Sequence, residues 1–150
     1  MAFVMDASVS VGWVIKNQVT DYSMAVESAL TTETIHVPVL WWLEMTNTLR
    51  TGCKRAAITV SEAQGFIKVL NSLPIIVEPL ESKASELFAL ALRHDLTSYD
   101  AAYLDLALRL QIPIATQDTA LRGAALASGV GVWTPGILLT VDLQNPGSLP

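Results

Sequence analysis

Short, continuous apolar runs alternate along this chain with longer stretches in which apolar residues recur every three or four positions. The runs at 2–6 (AFVMD), 35–37 (IHV), 75–77 (IIV), 113–116 (PIAT) and 130–133 (VGVW) have the length and composition of fully buried strands. Helical spacing fills the gaps: through Trp13, over 20–30, from Pro38 at a first turn to Lys54, from Ser61 to a stop at Pro74, over 80–93, over the stretch LTSYDAAYLDLALRLQ, and over 119–128. Gly52 falls in a last turn, where it is expected to fray the helix. Strand and helix in such alternation build an α/β fold with a mostly parallel sheet covered by helices on both faces. The residues after Val141, with Pro146, Gly147 and Pro150, are expected to form a loose tail, which leaves 1–141 as a single domain and 142–150 outside it.

Composition narrows this picture. With 51% hydrophobic and 15% charged residues in 150, the chain has the apolar content for one full core and is neither disordered nor fibrous. Nine basic against fourteen acidic residues, a net charge of -5, exclude a protein that holds nucleic acid by bulk electrostatics, so any such contact is local or metal-mediated. Cys53 stands alone, which permits no internal disulfide or zinc cluster and suits a reducing compartment. The N-terminus lacks a basic lead and is interrupted by Asp6, so no signal peptide is read there; no run approaches a membrane span, and the cytoplasm is the expected location.

Four acids fall at special places on this map. Asp6 closes the first strand and Asp118 follows the strand after Pro113, both at the carboxyl edge where parallel sheets bind ligands. Glu44 lies one and a half turns into its helix among Leu40, Trp41 and Leu43, and Asp100 lies in the first turn of its own. Taken singly, each has a plainer explanation. Thr97 to Asp100 resembles a capping box, Asp118 is placed to cap the helix at Thr119, Asp6 suits a strand-end turn, and Glu44 can face solvent or pair with Arg50 or Lys54, although those lie outside the favoured helical spacing. Together they pose an electrostatic problem, because two unit charges about 4 Å apart repel by roughly 4 kcal/mol at an effective dielectric near 20. Protonation or a bound cation relieves it. Oxygen-only ligation favours Mg²⁺ or Mn²⁺ over zinc, and carboxylate-bound Mg²⁺ commonly meets substrate phosphate, which points to phosphodiester hydrolysis.

The segments VMDAS, WWLEMTNTL, LTSYDAAYLDLA and IATQD, in that order, resemble the motifs of PIN-domain ribonucleases, specifically the VapC toxins of toxin-antitoxin pairs. The resemblance spans nearly the whole chain and rests on the ordered set. It implies a three-layer α/β/α fold around a five-stranded, mostly parallel sheet. It also implies a catalytic metal site for Mg²⁺, with Mn²⁺ as the alternative, made by Asp6, Glu44, Asp100 and Asp118, with Ser8 and Thr116 as supporting hydroxyls. The activity it implies is that of a metal-dependent endoribonuclease that hydrolyses RNA to 5′-phosphate and 3′-hydroxyl ends and so inhibits translation and growth. Its implied partners are an RNA substrate, an antitoxin and a second copy of the chain in a homodimer.

Other classes fit less well. A receiver domain needs paired acids after its first strand and a lysine after its last; a haloacid-type phosphatase needs Asp-x-Asp, and here Ser8 takes the second place. A PIN-fold module that binds RNA or a partner without cleaving it remains as the alternative. His36 and His94 have no ligand spacing, though His94 can reach a substrate from the loop before Asp100. Arg50, Lys54 and Arg55 make a small basic patch, or simply complement a helix terminus. Trp41 and Trp42 either stack on a base or pack in the core, with packing expected for at least one; Trp42, Val9, Val11 and Trp13 are candidates for a partner or dimer surface.

Overall fold

The computed structural model describes residues 1–136, and the expected domain end at 141 and the tail beyond it lie outside them. The first apolar run is strand β1 (Ala2–Met5), in which Phe3, Val4 and Met5 are wholly buried, as befits a strand covered on both faces. Helices α1 (Ala7–Val14) and α2 (Asp21–Ala29) lead to β2 (Thr34–Pro38), α3 (Leu40–Lys54) and α4 (Val60–Ser72) to β3 (Ile75–Glu78), α5 (Ala84–His94) and α6 (Ser98–Leu110) to β4 (Ile114–Ala115), and α7 (Thr119–Ser128) follows. Among the described residues all pairings are parallel, in the order β3-β2-β1-β4. The chain therefore steps outward from β1 to β3 and then returns to the other side of β1. Helix α6 packs on β1, β2 and β4 with α5 and α7 beside it, while α1 and α3 pack together with α2 and α4 outside them, α3 against β2. This is the expected α/β class with helices on both sides of a parallel sheet.

Three local expectations need correcting. Among the described residues the fifth strand is reduced to one bridge between Ile114 and Val132, closed by the Ile114 amide on Gly131 and the Trp133 amide on Ile114. Gly129 and Gly131, both at positive φ, bend the chain before a ladder can extend. Pro38 ends β2 rather than opening a helix, and the helix begins two residues later at Leu40. Gly52 is buried inside α3, where a Cβ would come within 3.1 Å of the Ile58 side chain, so it serves close packing rather than fraying.

The partner-surface candidates divide likewise. Trp41 and Val9 are wholly buried, which removes both from any docking surface. Trp42, half-buried, packs edge-on against Trp41 at 4.8 Å, and Trp13 donates its indole N–H to the Ser23 carbonyl. Helix α5 has no buried residue and leaves Phe88 and Leu92 exposed. Among the described residues no helix is long and apolar enough to cross a membrane.

Candidate active site

In the order β3-β2-β1-β4 the direction of winding reverses between β1 and β4, and the carboxyl ends of two such strands leave a crevice between the diverging connections. Asp6 is the first residue past β1 and Thr116 the first past β4. The Asp6 amide donates to the Ala115 carbonyl, which locks the two ends side by side. Asp6 occupies the N-cap position of α1 without capping it. Its buried carboxylate instead accepts the Ser8 hydroxyl at 2.6 Å and the Thr116 hydroxyl at 2.8 Å, both on Oδ2, leaving Oδ1 without a side-chain donor. Those hydroxyls are themselves oriented, Ser8 Oγ by the Gln117 amide and Thr116 Oγ1 by the Asp118 amide, each at 3.0 Å. Gln117 ties the loop further, donating to the Ser8 carbonyl and accepting from Thr20, the N-cap of α2. Ser8 and Thr116, expected as supporting hydroxyls, hold Asp6 directly.

Asp118 does cap α7, its Oδ1 accepting the Leu121 amide at 2.8 Å, so the plainer explanation is correct as far as it goes. Its charge nonetheless acts on both Asp6 and Asp100. Asp100 is only half of a capping box: its amide donates to Thr97 Oγ1, and its carboxylate does not complete the pair. Glu44 makes no ion pair with Arg50 or Lys54. It is carried on α3, which a buried chain of contacts fastens to α1: the Trp41 indole N–H donates to Ser10 Oγ at 2.9 Å, and Ser10 Oγ lies 3.3 Å from the Ala7 carbonyl and 3.1 Å from Met45 Sδ.

Three of the acids are shifted by burial and by neighbouring carboxylates. Burial raises the Asp6 carboxyl above the ordinary range, and Asp118 adds to the shift against the pull of the Ser8 and Thr116 hydroxyls. Burial, then the charges of Asp6 and Asp100, push Glu44 up to about 7. Asp100 is raised by burial and by Asp6 and Asp118. Among the described residues, however, no three His, Cys, Asp or Glu side chains stand close enough to grip one ion as they are. Drawing these carboxylates to Mg²⁺–oxygen distances of about 2.0–2.1 Å would require the cation's charge to offset their mutual repulsion. The donor set is oxygen alone, from four separate elements, and fits a hard divalent cation.

One side chain in the cluster has no counterpart among the sequence-based candidates. Tyr103 is wholly buried, and its hydroxyl is the one buried side-chain polar atom among the described residues without a hydrogen-bond partner. Burial and the charges of Glu44, Asp6 and Asp100 raise its pKa, while the Ala7 amide opposes them, which locates the phenol among those groups. It approaches Glu44 and partly offsets that group's rise without attaining hydrogen-bond geometry. An unpartnered buried hydroxyl costs about 1–3 kcal/mol. Its position three residues after Asp100, on the same face of α6, is the signal from which it can be found.

The PIN domain family profile matches residues 3–126, and the chain belongs to that family. Two solved structures share its fold. PAE2754 from Pyrobaculum aerophilum has 20% sequence identity and a TM-score of 0.62, over 83% of this chain and 80% of that one. VapBC2 from Rickettsia felis, crystallised bound to a DNA fragment from its promoter, has 11% identity and a TM-score of 0.64, over 88% and 96%. No curated protein sequence matches the chain.

Proposed function

We propose that this PIN domain is a metal-dependent endoribonuclease and the toxin of a VapC-type toxin-antitoxin pair, acting in the cytoplasm on RNA to inhibit translation and growth. The observation that carries the reading is the convergence of Asp6, Glu44 and Asp100, all with raised pKa values, and Asp118 on the crevice where the sheet reverses its winding. A divalent cation, Mg²⁺ or Mn²⁺, held by these four carboxylates would supply charge stabilisation at the scissile phosphate and a nucleophile at neutral pH. Ser8 and Thr116 fix one oxygen of Asp6, so that the other is aimed without reorganisation. A carboxylate not engaged by the cation would be available to take a proton from water. With a net charge of -5, the chain would rely on this local attraction for RNA rather than on a basic surface. The VapBC architecture of one fold neighbour supports an antitoxin as partner, and homodimerisation is proposed from the family resemblance.

A second reading, a PIN-fold module that binds RNA or protein without cutting, draws on the carboxylates' separation. Cleavage of total cellular RNA by wild type with Mg²⁺, with EDTA, and by Asp100→Asn decides between them. The nuclease reading expects cuts with 5′-phosphate ends that disappear in EDTA and fall more than about 100-fold in the variant, beyond the 10–100-fold typical of outer partners of a metal site. Equal inertness of folded wild type and variant, with no Mg²⁺ binding, would favour the binding module.

A further inference from the structure

The buried hydroxyl of Tyr103 makes no hydrogen bond among the described residues. Phenylalanine would fill the same buried volume without stranding a polar atom. The charges that act on it are those of Glu44 first, then Asp6 and Asp100, with the Ala7 amide opposing them. Its backbone is fixed by α6, whose first turn carries Asp100, so the phenol and that acid move as one rigid unit. A phenol beside a carboxylate is a donor waiting for an acceptor.

We infer that Tyr103 is a positioning residue for Glu44: when the acids close on a divalent cation, its O–H donates to one Glu44 oxygen and leaves the other directed at the ion. The inference rests on the proposed metal site and assigns a hydrogen bond within it. Such a bond would satisfy the buried hydroxyl and offset part of the cost of drawing Glu44 toward Asp6 and Asp100. Tyr103 itself touches neither cation nor RNA.

Tyr103→Phe in the full chain tests this, with Mn²⁺ affinity measured by calorimetry alongside melting temperature and RNA cleavage. The variant should melt at or above the wild-type temperature without metal, bind Mn²⁺ about 10-fold more weakly, and lose about 10-fold in kcat with KM for RNA unchanged. Added to Glu44→Gln, it should weaken Mn²⁺ binding no further, because its effect passes through Glu44. A core-packing role predicts the reverse pattern, a lower metal-free melting temperature and unchanged Mn²⁺ affinity, and that result overturns the inference, as does a variant too unstable to fold. Wild-type affinity and cleavage in Tyr103→Phe would overturn it while leaving the nuclease standing. Absence of both Mn²⁺ binding and cleavage in wild type would instead remove the metal site, and this inference with it.

Discussion

Glu44 retains a proton under conditions in which a surface glutamate has lost it, and this has a direct consequence for stability. Its pKa is about 7 in the folded chain against an ordinary value of 4.5, so between these values the native state holds a proton that the unfolded chain has released. Stability from this group is therefore complete below about pH 4.5 and is lost as pH rises through about 7. Asp6 and Asp100, also raised, act with the same sign. In EDTA the melting temperature should fall between pH 5 and pH 8, and Glu44→Gln should flatten that fall; a wild-type melting temperature that rose over the interval would contradict the pKa assignment. At this scale Asp6, Asp100 and Asp118 stand out in the sequence because each sits where a strand ends or a helix begins, and Glu44, further into its helix, because apolar residues surround it. Tyr103 was not singled out, because in an apolar helix a tyrosine reads as core, and its spacing of three from Asp100 gains meaning only beside the neighbouring carboxylates. Asp118 shows why a single explanation per residue misleads, since one oxygen caps a helix while the charge still reaches Asp6.

Helix α3 carries Glu44 but owes its placement to a residue on α1. Ser10 takes the Trp41 indole N–H, and Ser10→Ala would leave that buried donor unpaired. The expected cost is about 1–3 kcal/mol, read as a loss of several degrees in thermal unfolding, with cleavage reduced further because Glu44 is only three residues from Trp41. Full stability in Ser10→Ala would mean that the helices are held by apolar packing alone. This fastening escaped the sequence reading because Ser10 and Trp41 are thirty-one positions apart, and a serine in an apolar helix gives no periodic signal. The element types themselves were readable from hydrophobic spacing. Their ends were less so: Pro38 suits either a strand end or a first helical turn, and the distinction depends on its pairing with Glu78 across the sheet. The 130–133 segment had the apolar content of a strand, but its glycines restrict it to a single bridge.

For the whole molecule, strand order matters more than strand number. Alternation of helix and strand announced a parallel sheet, and the acids were expected at its carboxyl edge. Which strands are neighbours there was not legible, and adjacency of β1 and β4 is what brings Asp6 to Thr116. β4, however, has only two residues, paired to Val4 and Met5 on one side and bridged to Val132 on the other. Half of the crevice thus hangs from the smallest piece of the sheet, while Asp6 is anchored in its middle. Local opening of β4, short of global unfolding, would expose the wholly buried Ile114 and Ala115 and carry away Thr116 and Asp118 together. A ligand that binds across the crevice should act as a clasp, slowing amide hydrogen exchange at 114–118 far more than at 35–37, and uniform slowing at both would show that the two halves open only as one. The intact site would then exist as a fluctuating fraction of the folded molecules, and its occupancy in time, rather than its shape alone, would set how much activity a given chain can express.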